Sequence, residues 1–398
     1  MKLTDLSTRE FLHDPYPLYE SLRAEGRLVR LGPNAMISGH YEVVEALLHD
    51  RRFGKRYFES VRLRYGEDAP GMKLFQSIER MFLAQNPPIH TRLRALVTKA
   101  FNARQIEGMR DIAHRVANRL VDSIESAGTA DLIGQFAFPL PIYIIGQMLD
   151  IPVEDATRLG AEVDVLVKIF DAAPLNEVEL MRTVAAYDEL ERYFLEVIEV
   201  RRTRPGEDLV SMLITVEEGG ETLSQDEIVS NVVLLFLAGH ETTSSTIGNS
   251  LIALHRHREQ LALLKHDPSH MPKAVLECVR YDGAVQNTVR APLEDLKIEG
   301  TDVPAGTSIF LMLGSANRDP AKFSNPDHLE IGRDSMKALT FGAGIHHCLG
   351  YRLALMEIET ALSVLLERLP NLQLTGLDRL TWNQRGNLRG VTSLSASW

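Results

Sequence analysis

Cys348 stands in the ten-residue run FGAGIHHCLG, residues 341–350, behind an aromatic side chain and just before a helix-forming stretch from Tyr351 to Leu366. Gly342 and Gly344 let the backbone turn tightly and approach a ligand closely, and a cysteine at a helix N-terminus gains a stabilised thiolate from the oriented amides. The loop therefore presents a lone thiolate to something large and planar, as an anionic ligand or as a nucleophile. The chain's other cysteine is Cys278. Two cysteines argue against a disulfide framework, a four-cysteine zinc site and a four-cysteine iron–sulfur cluster, and leave a single metal–sulfur bond open.

Other places combine residue types that do chemistry. Val232 to Gly239 is the richest apolar stretch, and it runs straight into His240, Glu241, Thr242 and Thr243. Gly239 costs a helix about 1 kcal/mol against alanine, and threonine hydroxyls compete for backbone carbonyls. This turn is expected to be locally weak, and a weak turn in a buried helix points to function. Glu277 and Arg280 lie three apart and share a helix face, which permits an ion pair. His90 and Arg94, four apart in PPIHTRLRALV, also share one face.

The elements that carry these residues are mostly helical. Patterning of period 3.6 dominates from Ile89 to Leu264, with breaks expected at Phe138–Pro141, Pro152 and Pro205. Ser224 followed by Glu227 is a capping-box signature, and the pattern after it continues to about His257, a helix roughly 45–50 Å long. Strands are expected in a hairpin over Val29–Ser38, in the alternating segment Asn287–Leu313, and among the glycine-punctuated last thirty residues. The 398 residues, 44% hydrophobic, can bury a large core, and 43 basic against 54 acidic residues leave a net charge of −11. That charge argues against general nucleic-acid or anionic-membrane binding. No repeat or low-complexity tract is present; Arg201–Asp208 is the best candidate break, and one continuous domain over residues 1–398 is the economical reading. The amino terminus lacks a secretory pattern and the apolar run is well short of the ~20 residues of a membrane span, so a cytoplasmic protein without an anchor is expected.

Together the Cys348 loop, the Glu241–Thr242 turn and the Glu277-x-x-Arg280 helix resemble the cytochrome P-450 family of haem-thiolate monooxygenases, in its soluble bacterial form. The family's loop, Phe-Gly-x-Gly-x-His-x-Cys-x-Gly, is matched at Phe341, Gly342, Gly344, His346, Cys348 and Gly350, and family features run in order from about Asp14 to the carboxyl terminus. The resemblance implies a mainly α fold with smaller β-sheets and a long central helix over a buried haem b. It makes Cys348 the axial iron ligand, with Phe341 packed near the sulfur and backbone amides after Cys348 tuning its charge. Its neighbour His347 has no such family role. Glu241 becomes the solvent-linked acid that resupplies protons, and Thr242 the hydroxyl at the oxygen-binding position. His90, Arg94, Arg290 and His346 become partners of the haem propionates. Glu277 and Arg280, completed by Arg333, become a buried structural set.

The resemblance also places Met81, Phe82, Leu83, Leu234, Leu237, Ala238, Val285, Thr288, Val391 and Thr392 near the substrate, and Val163 to Glu189 in a mobile lid. A mostly apolar lining predicts a lipid, terpenoid, steroid or polyketide substrate. No flavin or nicotinamide domain is fused, so NAD(P)H-derived electrons are expected through a separate ferredoxin or flavodoxin. Arg92, Lys99, Arg104 and Arg352 are candidates for its basic docking face. Three positions depart from the family pattern: Asn86 for an aspartate, Ile89 for an acid and Leu329 for a phenylalanine. A peroxide-driven peroxygenase, a haem-binding sensor or carrier, and a cysteine hydrolase using His346 or His347 are the competing readings.

Overall fold

The computed structural model describes residues 2–171, 173–333 and 337–398. Ala172, part of the expected lid, lies outside the described residues. Helix makes up 60% of the chain, which settles the class as mainly α with small sheets. The helices that carry the site are, in chain order, α1 (Tyr41–His49), α2 (Lys73–Glu79), α3 (Ile89–Ala100), α4 (Glu177–Thr203), α5 (Gln225–Arg256), α6 (Met271–Asp282) and α7 (Tyr351–Arg368).

α5 starts where its capping box predicts. The Ser224 amide donates to Glu227 Oε2 at 2.9 Å and the Glu227 amide donates back to Ser224 Oγ at 3.3 Å. Its 32 residues, at 1.5 Å each, span about 48 Å. The helix runs through Gly239–Thr243 without a break, so the expected weak turn keeps its α-helical form. The break expected at Phe138–Pro141 is an element boundary and not a loop: a π-helical turn, Ile133–Ala137, ends before Phe138 and the helix Pro139–Met148 starts directly after it. Proline is tolerated in a first turn because its missing amide would have had no intrahelical acceptor there.

Five short strands form the larger sheet: β1 (Val29–Gly32), β2 (Ala35–Ser38), β3 (Phe53–Gly54), β4 (Thr288–Pro292) and β5 (Ser308–Leu311), in the order β1-β2-β5-β4-β3. β1 and β2 are the expected hairpin, with Val29 opposite Ile37, and β5 runs parallel to β2. Ile309 lies opposite Arg290, which fixes that arginine on β4. A separate hairpin, Leu296–Ile298 with Thr301–Val303, turns at Glu299 and Gly300, whose φ values of 48° and 79° suit an αL pair. The carboxyl-terminal strands Gln373–Leu374 and Ser395–Ser397 join Thr129–Asp131 in a three-stranded sheet.

Contacts divide the chain into two interleaved units, Met1–Gly54, Ala113–Leu140 and Thr242–Trp398 forming the first, Lys55–Ile112 and Pro141–Glu241 the second. The first has cores around Met36, Val44, Ile309 and Leu311, and around Tyr19, Leu22 and Ile37. In the second, Phe194 of α4 packs edge-on against Phe236 of α5 at 5.7 Å. The expected break at Arg201–Asp208 is a closed turn inside the second unit: Arg201 pairs with Asp208 at 2.9 Å, and Asp208 caps the next helix. No single helix among the described residues is long and apolar enough to cross a membrane.

Candidate active site

The cysteine loop is closed by its own backbone. The Cys348 amide donates to the Phe341 carbonyl at 2.9 Å, that of Gly342 to Leu339 at 2.8 Å and that of His347 to Gly344 at 3.1 Å. Gly342 and Gly344 have φ of 68° and 66°. At Gly344 a Cβ would also meet the Leu48 carbonyl at 2.1 Å, so α1 seats the loop where no side chain fits. Cys348 is half-buried three residues before Tyr351, the first residue of α7, where helix amides favour a thiolate. Cys278 is its opposite: burial pushes that thiol up to about 12, leaving it inert. The His347 ring packs edge-on to Tyr351 at 4.9 Å, and Phe341 lies 6.1 Å from the same ring. His346 and Gly350 are half-buried in the loop.

Behind the loop stands an anchor that sequence reading missed. Asn317 accepts the Leu339 amide at 2.7 Å and donates to Thr340 Oγ1 at 2.7 Å, while Thr340 donates to the Val279 carbonyl of α6. Its signal was an asparagine directly after the apolar run Leu311–Ala316. α6 is fixed in turn by Glu277. Both carboxylate oxygens receive Arg280, at 2.7 and 2.8 Å, and one also receives Arg333 at 3.2 Å, with Glu277 0% and Arg280 1% exposed.

Arg290 is 5% exposed and donates to Thr288 Oγ1 and the Val289 carbonyl, with no carboxylate partner among the described residues. Burial alone pushes its guanidinium down to about 10. A buried cation without a counter-ion is costly, so this position calls for an external anion. Thr288, expected near the substrate, is half-buried and accepts the bond from Arg290 at 3.1 Å. Val285 is half-buried, Val391 packs near Gly248 of α5, and Thr392 is exposed and bonds to Thr381.

In the second unit, His90 is buried and Arg94 half-buried on α3, and the Phe82 ring meets both, 6.5 Å from the His90 ring and 5.8 Å from Arg94 Cζ. Met81 and Phe82 are buried and Leu83 half-buried. The departure at Asn86 has a use: its amide accepts the Lys55 amide and donates to the Lys55 carbonyl, both at 2.7 Å, and an aspartate could only accept. Ile89 is exposed and Leu329 fully buried. In the lid region, Arg64 donates to the Ile169 and Asp171 carbonyls at 3.2 and 2.9 Å.

Along α5, residues 231–237 are buried, then Ala238 is exposed and Gly239, Glu241 and Thr242 are half-buried, and residues 243–250 are buried again. Ala238, Glu241 and Thr242 follow i, i+3, i+4 spacing and share one face. Leu234 and Leu237 are buried one turn earlier. Between two buried stretches of the helix, a short accessible patch thus presents one acid and one hydroxyl. Thr243, on another face, is buried, as is His240.

Two of the expected docking cations are engaged internally. Arg92 pairs with Glu227 and donates to the Thr222 carbonyl, and Lys99 reaches Glu218 Oε2 and the Glu217 carbonyl, both at 2.8 Å. Arg104 and Arg352 are exposed, Arg352 donating to Tyr351 Oη at 3.0 Å.

These features fit a haem: a thiolate on a glycine loop, a buried arginine with no carboxylate partner among the described residues, and a helix patch with an acid beside a hydroxyl. Residues 156–373 match the sequence profile of Cytochrome P450, and the chain belongs to that family of monooxygenases. Cytochrome P450 133B2 of Xylella fastidiosa (strain Temecula1) is 58% identical over 396 residues, covering 100% of this chain and 99% of its own. The cytochrome P450 monooxygenase PikC of Streptomyces venezuelae is 35% identical and covers 98% of this chain and 92% of its own. The solved structure of P450BioI in complex with hexadec-9Z-enoic acid ligated acyl carrier protein superposes with a TM-score of 0.92 at 33% identity, over 99% of this chain and 100% of that one. Myxobacterial CYP267B1 in complex with myristic acid gives 0.90 at 33% identity, with 99% of each chain covered.

Arg290→Met is expected to leave the haem-free chain at least as stable as the parent while speeding haem loss by about 10-fold. The sign of the pH effect follows from the lowered value. Above about pH 10 the folded haem-free chain binds fewer protons than the unfolded chain, so its stability rises with pH towards the ordinary arginine range, and the Met variant lacks that rise. Chemical denaturation of both haem-free chains across pH 9 to 11 checks it.

Proposed function

We propose that this monooxygenase hydroxylates or epoxidises an apolar or amphipathic small molecule, taking two electrons from a separate ferredoxin or flavodoxin. Bound haem b supplies the oxygen-activating chemistry, one oxygen atom going to substrate and the other to water. Cys348 ligates the iron, and His90, Arg94, Arg290 and His346 hold the haem carboxylates. Phe341 shields the sulfur and Gly350 lets the chain turn into α7.

The accessible patch on α5 carries this reading. Glu241 exchanges protons with solvent and passes them towards the reacting centre, while the Thr242 hydroxyl holds and orients the hydrogen-bonded group that receives them. Leu234, Leu237, Ala238, Met81, Phe82, Leu83, Val285 and Val391 supply apolar surface that orients substrate and excludes water. The myristic acid and hexadecenoyl ligands of the two similar solved structures support a long apolar or amphipathic substrate.

A screen for substrate-induced change of haem spin state, followed by product analysis under ferredoxin and reductase supply, tests the proposal. Glu241→Gln is expected to lower coupled turnover on the order of 100-fold. Thr242→Ala should keep oxygen consumption and divert electrons to peroxide. Turnover driven equally well by hydrogen peroxide in both variants would favour a peroxygenase, and oxygen consumption without product would favour a sensor or carrier.

The docking cations should separate into two groups. Arg352→Glu is expected to slow reduction by the electron donor several-fold at low salt, an effect that fades as ionic strength rises. Lys99→Glu should do less, because Lys99 already faces Glu218. Stopped-flow reduction at several salt concentrations checks the order.

A further inference from the structure

Asn231 lies on α5, three residues before Leu234, and is 0% exposed. Its side-chain amide makes three bonds. Oδ1 accepts the Phe82 amide at 3.0 Å, and Nδ2 donates to the Arg80 carbonyl at 3.3 Å and to the Glu227 carbonyl at 2.8 Å. Asn231 thus binds residues 80 and 82 as a neighbouring strand would, with one acceptor and one donor, and the bond to Glu227 fixes the amide to its own helix. An amide is the side chain that offers both roles at this length. Leucine fills the space and offers neither role; aspartate sets a carboxylate against two carbonyls.

The held segment leads to the cofactor side. Phe82 opens a single 3-10 turn, Phe82–Ala84, and its ring is the common neighbour of His90 and Arg94. The ring stands edge-on to His90 and under the Arg94 guanidinium, so its position limits the rotamers of both. Two ion pairs flank the arrangement, Arg80 with Asp226 at 3.4 Å and Arg92 with Glu227, both acids lying in the first turn of α5. They are part-exposed and weak by themselves. Asn231 is the fully buried contact between them.

We propose that Asn231 is a positioning residue for haem binding: through the backbone of Phe82 it sets the aromatic ring that orients His90 and Arg94 towards the haem carboxylates. This rests on the reading that His90 and Arg94 contact those carboxylates, and the experiment separates the two. Substitutions in a supporting shell weaken cofactor binding by about 10–100-fold, the range expected here.

The measurement is the rate of haem transfer from holoenzyme to excess apomyoglobin, for Asn231→Ala, Phe82→Leu, their combination, Arg94→Ala, His90→Ala, and Phe82→Leu combined with Arg94→Ala. Asn231→Ala and Phe82→Leu should each speed transfer about 10-fold or more, and the combination should be no faster than the faster single variant, because both act through one ring. Multiplicative rates in the combination, or an unchanged rate in Asn231→Ala, would overturn the proposal. If Asn231→Ala fails to accumulate as holoenzyme, Phe82→Leu in an Arg94→Ala background decides: the Phe82 effect should shrink there, and its persistence at full size would overturn the proposal. An unchanged rate in both Arg94→Ala and His90→Ala would instead overturn the carboxylate reading beneath it.

Discussion

Replacing Cys348 by alanine is expected to abolish monooxygenase turnover and to remove the red-shifted absorption band that thiolate ligation gives the reduced carbon monoxide complex. The thiolate's electron donation favours O–O cleavage, and no other side chain on the loop replaces it. His347 is next in the chain, yet its ring packs against Tyr351. Cys278 is buried in α6 as a protonated thiol. Cys278→Ala and His347→Ala should therefore keep the band. Spectra of the three variants under carbon monoxide check this; a band retained in Cys348→Ala, or lost in His347→Ala, would refute the assignment.

Glu277→Ala is expected to destabilise the chain by about 3–5 kcal/mol, because it leaves the buried Arg280 without its carboxylate and Arg333 with only the exposed Glu330, at 3.4 Å. Arg280 bonds through Nε, Nη1 and Nη2: besides Glu277, it donates to the carbonyls of Asn317, Pro326 and His328. The Glu330 amide also ends on Glu277, at 3.0 Å. Asn317 in turn holds Leu339 and Thr340, which lead directly into Phe341 and the thiolate loop. Loss of the carboxylate should therefore lower haem retention as well as stability. Urea unfolding should show a lower midpoint with little change in slope. Glu277→Leu combined with Arg280→Met should cost less than either single change, since it removes both charges together. A cost under about 1 kcal/mol for Glu277→Ala would mean that the set behaves as an ordinary surface pair.

Both predictions rest on residues visible as spaced patterns. FGAGIHHCLG carries its turn-forming glycines and its cysteine within ten residues, and Glu277 lies three residues from Arg280, so local geometry was already implied. The capping box of α5 and the Val29–Ser38 hairpin are legible for the same reason: their partners are a few residues apart. The break expected at Phe138–Pro141 takes the form of a helix start at Pro139, because a proline signals an interruption and a helix start with the same residue.

Long-range partners have no such signature. Asn231 and Phe82 are 149 positions apart, Arg92 and Glu227 135, Lys99 and Glu218 119. Nothing local distinguishes an arginine available for docking from one already paired. The same holds for Arg290: its identity is plain in the sequence, but that no carboxylate among the described residues pairs with it is a property of everything folded around it. The sequence by itself determined the thiolate loop, the acid and hydroxyl on one helix, and hence the family and its chemistry, because those depend on covalent spacing and helical period. Only the tertiary structure shows which cations have no carboxylate partner among the described residues, which face of α5 stays accessible and which buried amide holds the Arg80–Phe82 backbone, because burial and pairing are set by segments distant in the chain.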